Sequence, residues 1–380
     1  MNHLAQAKEI IVVKEPFTLQ SRILKEDAPT KKYRRRQGEK KSVLHWGQRK
    51  LLMAEIEFMT LYSRPTDIVI YAGAAPGTHI SYLARLFPDN HFVLVDPSNF
   101  IVQPSAKIEI HQQFFTDDFA RELRKRFEGK RLLFLSDIRS ASWKTMSSEE
   151  VEKYVERDMR AQERWVKILS PEKSMLKFRL PYTLDGIGTT KYEYLDGIVF
   201  LPVWGGQTTS ETRLVVDKNA STRIWNPVKY EDQMFYFNTI TRVKYYPHDI
   251  KWKGYDHCYD CRSEIFILEQ YLKKYGGDTS NIVRMAKEIT QELTRKPMHV
   301  ILEEKDFEAI EKGGLLNYRV VPKNKEIKSL VFYRPTCLRS KDFLEKNKNK
   351  KLYLVNVDIH RALAYDYGVT NILPHVIDLS

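Results

Sequence analysis

The 380-residue chain predicts an α/β fold: a mostly parallel, doubly wound sheet with an antiparallel end, followed by a small C-terminal α+β module. Three observations carry this. From Trp46 onward, short apolar runs of buried-strand type alternate with amphipathic helical stretches, the pattern of a parallel sheet with crossover helices. A glycine-rich turn, Gly73-Ala74-Ala75-Pro76-Gly77, joins the first such strand to a helix, at the position where open α/β sheets bind ligands. Around residue 200 the strand candidates crowd together without helices between them, which permits antiparallel pairing.

The elements follow in chain order. Residues 1–45 read as a basic arm: Lys31, Lys32, Arg34, Arg35, Arg36, Lys40 and Lys41 crowd around Tyr33, with Glu39 as the single acid, too much like charge to fold alone. A domain at 46–297 opens with a helix over 47–62, because Leu51, Leu52, Ile56, Phe58, Met59 and Leu61 fall on helical spacing. Pro65-Thr66-Asp67 breaks it, and Ile68-Val69-Ile70-Tyr71 makes a buried strand. The turn at 73–77 leads into a helix to Phe87 and a second strand, Phe92 to Val95. A short strand at 108–110, a charged helix at 117–127 and a strand from Leu132 to Leu135 come next. Over 148–169, Val151, Tyr154, Val155, Met159, Trp165, Val166 and Ile168 share the buried face of a long helix. Strands at 174–180, 196–202 and 212–216 precede helices at 229–241, 261–275 and 279–295, the last ended by Pro297. Beyond it, strands His299 to Leu302, Ser329 to Tyr333 and Lys351 to Val357 mark the separate 298–380 module, whose residues carry no legible function.

Composition narrows the class. At 42% hydrophobic and 29% charged, the chain is neither disordered nor collagenous. Three cysteines build no disulfide framework, which favours a reducing, cytoplasmic setting. No run reaches the roughly 18 apolar residues of a membrane span, so no membrane partner is expected. The net charge of +13 suits a polyanionic partner, nucleic acid foremost.

The turn at 73–77 departs from the G-x-G-x-x-G fingerprint and is interrupted by Pro76, which disfavours a nicotinamide dehydrogenase. Asp96 closes the second strand, where a carboxylate accepts hydrogen bonds from ribose hydroxyls. Together, loop and acid point to a nucleoside-containing cofactor.

Five segments, in order, carry a wider likeness: Gly47-Gln48-Arg49-Lys50-Leu51-Leu52, Tyr71-Ala72-Gly73-Ala74-Ala75-Pro76-Gly77-Thr78-His79-Ile80, Ser136-Asp137-Ile138-Arg139-Ser140, Leu176-Lys177-Phe178-Arg179 and Ser210-Glu211-Thr212-Arg213-Leu214. The chain resembles, over residues 33 to 275, the poxvirus-type cap-specific mRNA (nucleoside-2'-O-)-methyltransferase family, which doubles as the small regulatory subunit of poly(A) polymerase. The resemblance implies a Rossmann-like methyltransferase fold, S-adenosylmethionine as cofactor, and methyl transfer to the ribose 2'-hydroxyl of the first transcribed nucleotide of capped mRNA. It implies as partners the capped mRNA 5' end and a poly(A) polymerase catalytic subunit or transcription machinery, with packaging in a virion. By motif match the catalytic tetrad falls on Lys50, Asp137, Lys177 and Glu211. Cofactor contacts fall on Gln48, Tyr71, Gly73, Ala75, Pro76, Gly77, His79, Asp96 and the backbone near Phe115, Thr116 and Ile138. Where the family has an arginine shortly after the ribose-binding aspartate, this chain reads Asp96-Pro97-Ser98-Asn99. Cap and RNA contacts fall on Tyr33, Arg139, Arg179, Tyr182, Asp185, Arg213 and Glu231. An RNA-binding regulatory subunit with catalysis secondary or absent is the alternative reading.

The implied roles make chemical sense. A ribose hydroxyl is a poor nucleophile until its proton is removed or held, and Lys177 is the candidate base. An ordinary lysine, with a pKa of about 10.4, must lose its charge for this. Lys50 favours that loss, while Asp137 and Glu211 oppose it, so the residue types alone do not sign the balance. N7-methylguanine, a delocalised cation, stacks on rings such as Tyr182 and Tyr33, and its N–H groups suit the carboxylates of Glu231 and Asp185. The helix cluster Arg121, Arg124, Lys125, Arg126, Lys130 and Arg131 reads as a solvated face or partner surface. His257-Cys258-Tyr259-Asp260-Cys261 holds a lone CxxC, short of the four clustered ligands of a structural zinc site, and the sequence assigns no metal.

Overall fold

The computed structural model describes residues 11–34, 47–142, 145–182, 190–206, 208–251 and 255–293, together with the backbone of three short strands at 299–301, 319–321 and 353–354. The elements of the main domain are α1 (Gly47–Tyr62), β1 (Ile68–Ala72), α2 (Ile80–Leu86), β2 (His91–Val95), β3 (Ile108–His111), α3 (Asp117–Arg126), β4 (Leu132–Ser136), α4 (Ser148–Leu169), β5 (Lys173–Phe178), β6 (Tyr192–Leu195), β7 (Ile198–Phe200), β8 (Thr212–Asp217), β9 (Thr222–Trp225), α5 (Pro227–Thr239), α6 (Tyr259–Lys274) and α7 (Ile282–Leu293). Seven strands form one sheet in the order β3-β2-β1-β4-β5-β8-β7. The first five run parallel, and β8 lies antiparallel to both neighbours. The strand order steps outward from β1 in both directions, so this is the doubly wound Rossmann-like sheet with an antiparallel end that the alternation of segments predicts.

Helices cover both faces of the sheet, which is why its central strands are apolar at every position rather than at alternate ones. Val69 and Tyr71 point into one core with Leu52, Met53, Ile56, Ile265 and Ile289 of α1, α6 and α7. Ile70 and Ala72 point into the other, with Phe119, Val155, Trp165 and Met234 of α3, α4 and α5. Local chemistry sets the helix starts. Thr116 caps α3 by accepting the Phe119 N–H, and Ser147 with Glu150 forms a reciprocal capping box on α4. Asn226 caps α5 and Pro227 takes its first position, so this helix begins two residues earlier than apolar spacing alone suggests.

Two outcomes differ from the sequence expectation. Residues 11–34, assigned above to the basic arm, pack on the domain. Leu24 N–H donates to Val199 O and Val13 N–H to Tyr245 O. Arg22, only 1% exposed, holds Glu57 through two guanidinium nitrogens at 3.0 and 3.1 Å and also donates to Tyr259 Oη and Leu201 O. The rest of the basic run, 35–45, lies outside the described residues. A second small sheet, β6 antiparallel to β9, was not anticipated. In the 298–380 region, β10 (His299–Ile301) pairs antiparallel with both β11 (Arg319–Val321) and β12 (Tyr353–Leu354). The strand expected at 329–333 lies outside the described residues. Among the described residues no helix is long and apolar enough to cross a membrane.

Candidate active site at the carboxyl edge of the sheet

The parallel strands deliver their C-terminal ends to one edge, and β8, running the other way, delivers its N-terminal end to the same edge. Pairing of β5 with β8 sets Lys177 opposite Arg213 and Phe178 opposite Thr212. Glu211 immediately precedes β8, and Asp137 immediately follows β4, its N–H donating to Ala72 O at 2.9 Å. The first turn of α1 adds Lys50. Four distant stretches of chain thus converge by topology alone.

The side chains form one charge cluster. Lys50 Nζ lies 2.5 Å from Glu211 Oε1. Lys177 Nζ sits between the two carboxylates, 3.3 Å from Asp137 Oδ1 and 3.6 Å from Glu211 Oε2. Beneath them Arg213, buried, bridges the same two acids at 2.6 and 3.3 Å. The tetrad side chains are only 11–17% exposed, so their charges interact across a poorly screened medium. Burial pushes the Lys50 ammonium below its usual range, with Glu211 and Asp137 opposing and Arg213 and Lys177 adding to the shift. Burial by itself would raise the Glu211 carboxyl, but Lys50, Lys177 and Arg213 outweigh it and hold the group well below the usual carboxylate range. Arg213 is desolvated too, yet Asp137 and Glu211 keep it firmly charged.

A backbone cradle adjoins the cluster. Gly73 has φ +80, and a Cβ there would fall 2.8 Å from Ile138 N and 2.9 Å from the Asp137 carbonyl carbon; Gly77 has φ +67 and would meet Val102 at 2.7 Å. Both positions therefore demand glycine, on conformational and steric grounds together. Asp96, at the end of β2, accepts the Ala75 N–H at 3.3 Å and the Ser98 N–H at 2.8 Å. Those two bonds leave lone pairs on its carboxylate for further donors.

On the other flank lies an aromatic and acidic cluster of side chains. The Arg179 guanidinium stands 4.3 Å from the Tyr182 ring centroid. Glu152 of α4 accepts both Arg179 terminal nitrogens, at 3.0 and 2.9 Å, and the Tyr182 N–H at 2.7 Å. Tyr182 Oη meets Ser210 Oγ at 2.5 Å. Glu231 on α5 is half-buried, and burial together with neighbouring Asp232 raises its carboxyl, against the pull of Arg179. The chain enters here as well: Tyr33 N–H donates to Asp232 Oδ1 at 2.7 Å, and the Tyr33 ring, 39% exposed, packs edge-on against Phe235 at 5.5 Å.

A family model described as "Poly A polymerase regulatory subunit" matches residues 13–295, well over half of the chain. The chain belongs to the poly(A) polymerase regulatory subunit family. It is similar to the cap-specific mRNA (nucleoside-2'-O-)-methyltransferase of Fowlpox virus (strain NVSL), at 27% identity over 280 residues that cover 66% of this chain and 86% of the relative. It is also similar to the enzyme of the same name from Myxoma virus (strain Lausanne), at 28% identity over 218 residues, covering 53% of this chain and 63% of that protein. Among solved structures, the bluetongue virus capping protein VP4 aligns at a TM-score of 0.37 and 14% identity, covering 57% of this chain and 38% of that one.

The structure brings together Lys50, Asp137, Lys177 and Glu211, the four residues on which the motif match falls. It also lines up Gly73, Ala75, Pro76 and Gly77 beside Asp96, with Ile138 backing the loop. Other expected contacts sit differently. Tyr71 and His79 are buried and engaged by Glu55 of α1: Tyr71 Oη donates to Glu55 Oε1 at 2.7 Å, and His79 Nε2 lies 2.9 Å from the same oxygen. His79 Nδ1 lies 2.8 Å from Gln48 Oε1, so His79 supports Gln48 instead of lining the cleft itself. The Phe115 ring is buried among Phe119, Phe134 and Trp165, leaving its backbone for any ligand, while Thr116 is spent as a helix cap. Arg213, expected beside RNA phosphates, is corrected to a buried brace of the tetrad, because two carboxylates claim it. Arg179 is likewise paired, with Glu152. Arg139 is mostly desolvated, and burial lowers its pKa despite Glu211. Asp185 lies outside the described residues. Sequence reading missed Glu55, Glu152 and Ser210, each of which acts through a partner far along the chain.

Proposed function

We propose that this chain transfers a methyl group from S-adenosylmethionine to the ribose 2'-hydroxyl of the first transcribed nucleotide of capped mRNA, converting cap 0 to cap 1. The convergence of Lys177 with Asp137, Glu211 and Lys50 at the edge that also bears the glycine cradle carries this reading, and the names of the poxvirus relatives support it. The cradle fits the cofactor. Gly73 and Gly77 keep the backbone clear of side chains, Asp96 has acceptor capacity for ribose hydroxyls, and Gln48, held by His79 at 2.8 Å, would offer an amide to the cofactor. When bound, S-adenosylmethionine supplies a sulfonium-activated methyl for in-line displacement by the 2'-oxygen. Lys177 Nζ holds the 2'-hydroxyl and accepts its proton as the new carbon–oxygen bond forms. Asp137 and Glu211 fix the position of that nitrogen, and the cations Lys50 and Arg213 pair with the same two carboxylates. Tyr182, Tyr33 and Glu231 would receive the methylated guanine.

The test is transfer of labelled methyl from S-adenosylmethionine to cap-0 RNA, followed by nuclease mapping of the modified ribose. Label on the first transcribed nucleotide is the expected result, and no incorporation would remove the proposal.

Membership in the poly(A) polymerase regulatory subunit family favours a second role on the same chain, as an RNA-binding partner of a poly(A) polymerase catalytic subunit. A Lys177→Ala chain should then still lengthen tails in a reconstituted polymerase reaction. Failure of the native chain to bind or stimulate the polymerase would eliminate this role.

A further inference from the structure

Away from the active site, Asp256, Cys258 and Cys261 bring one carboxylate and two sulfurs together, with all three donor atoms within 4.8 Å of one another. The sequence spacing offers only the CxxC; the fold adds Asp256. Cys258 is the N-cap of α6, its Sγ accepting the Cys261 N–H at 3.5 Å, while the Asp256 N–H points at Cys261 Sγ at 3.4 Å. Backbone N–H groups thus aim at both sulfurs, at a helix start whose free amides favour negative charge. Asp256 Oδ1 accepts the Cys258 N–H at 2.9 Å, which fixes the carboxylate beside the pair. Asp256 and Cys261 are buried, at 5% and 0% exposure. The His248 Nε2 meets the Asp256 carbonyl oxygen at 2.7 Å and so ties the backbone of that residue to a neighbouring segment.

We propose that Asp256, Cys258 and Cys261 bind a divalent transition-metal ion of the zinc class. Two thiolates select a soft or borderline ion over magnesium or calcium, and the carboxylate suits zinc better than copper(I). A tetrahedral zinc site, with sulfurs at about 2.3 Å and a carboxylate oxygen at about 2.0 Å, places the sulfurs about 3.8 Å apart and the oxygen about 3.5 Å from each, so the trio needs to contract by no more than about 1.3 Å. Binding forms two metal–sulfur bonds and one metal–oxygen bond, sends the two thiol protons to solvent and oxidises nothing. Its structural effect follows from α6. Two residues of the same first turns, Asp260 and Glu264, anchor Arg242 and Arg49, and Arg49 adjoins Lys50. The ion would pin the 255–261 segment to the helix that steadies the active-site end of α1.

The test uses the full-length chain, stripped with chelator under reducing conditions and titrated with cobalt(II). The expected result is a near-ultraviolet thiolate-to-cobalt charge-transfer band that saturates at one equivalent and is abolished by zinc. Cys258→Ser and Asp256→Asn, checked for native circular dichroism, should bind at least about tenfold more weakly. Cys337→Ser should leave the band unchanged. Absence of the band in the native chain, equal affinity in Cys258→Ser, or an intact mass lower by two hydrogens with no metal bound, which marks a disulfide, would each overturn the proposal.

Discussion

Replacement of Lys177 separates chemistry from structure better than any other change at the site. General-base catalysis contributes about 10²–10⁴ in rate, equivalent to roughly 2.7–5.4 kcal/mol of transition-state stabilisation. Lys177→Met should therefore lower kcat by that factor. The same change should barely disturb the fold, and the geometry says why. Asp137 retains Arg213 at 2.6 Å and Glu211 retains Lys50 at 2.5 Å, so no carboxylate is left unpaired. Three cations facing two acids become two facing two, which relieves like-charge repulsion in a cluster little exposed to water. Lys177→Arg refines the test, because a guanidinium keeps the positive charge but cannot give up its proton. Single-turnover methyl transfer on cap-0 RNA, with S-adenosylmethionine affinity measured by calorimetry and stability by thermal unfolding, reads all three quantities. Both variants should bind cofactor and melt like the native chain while failing to turn over. Activity of Lys177→Arg within tenfold of native would refute the base role and reduce Lys177 to an electrostatic one; lost cofactor affinity would show that the cleft itself had collapsed.

The sheet was legible in the sequence because apolar runs and breakers report local burial directly. Ile68 to Tyr71, Phe92 to Val95 and Leu132 to Leu135 are buried on both faces and read as unbroken apolar strands, and the helices at 47–62 and 148–169 have the predicted bounds. The tetrad was legible by motif, and the topology accounts for it: the ends of β4 and β5 and the start of β8 share one edge. What escaped was everything that depends on a charge finding a distant partner. Arg22 reads as one more cation in a basic leader, yet it lies under Leu201 and pairs with Glu57. Arg49 appears as a polar residue in an amphipathic helix, but its guanidinium is fully buried against Glu264, 215 residues away. Arg213 sits two residues from Glu211 of the motif match and so invites an RNA-facing reading, until the cross-strand register turns it toward Asp137. Periodicity reports which face is wet on average, and these arginines violate that average because each is neutralised inside.

The same geometry yields four further expectations. Gly73→Ala should cost about 1–3 kcal/mol in stability from its left-handed φ alone, and should also weaken S-adenosylmethionine binding in calorimetry, because its Cβ intrudes on Ile138 N. Tyr182→Ala, which removes the ring beneath Arg179, should abolish discrimination between N7-methylated and unmethylated caps in KM; unchanged discrimination would detach Tyr182 from cap recognition. Glu264→Gln should destabilise the chain by about 3–5 kcal/mol in chemical denaturation, since it removes the negative charge paired with the fully buried Arg49. Acid stability should depend on Glu211 with a definite sign. Its carboxyl is held in the folded chain well below the 4.5 of an unperturbed glutamate. The stabilisation is therefore complete above pH 4.5, where both states are ionised. As the pH falls below that value the unfolded chain takes up the proton first, and stability declines until the folded carboxyl titrates too. Glu211→Gln carries no such proton, so its unfolding free energy, lower at neutral pH, should fall less steeply between pH 4.5 and more acidic conditions. Parallel slopes for the two chains would mean that Lys50, Lys177 and Arg213 do not hold the Glu211 charge as the distances require.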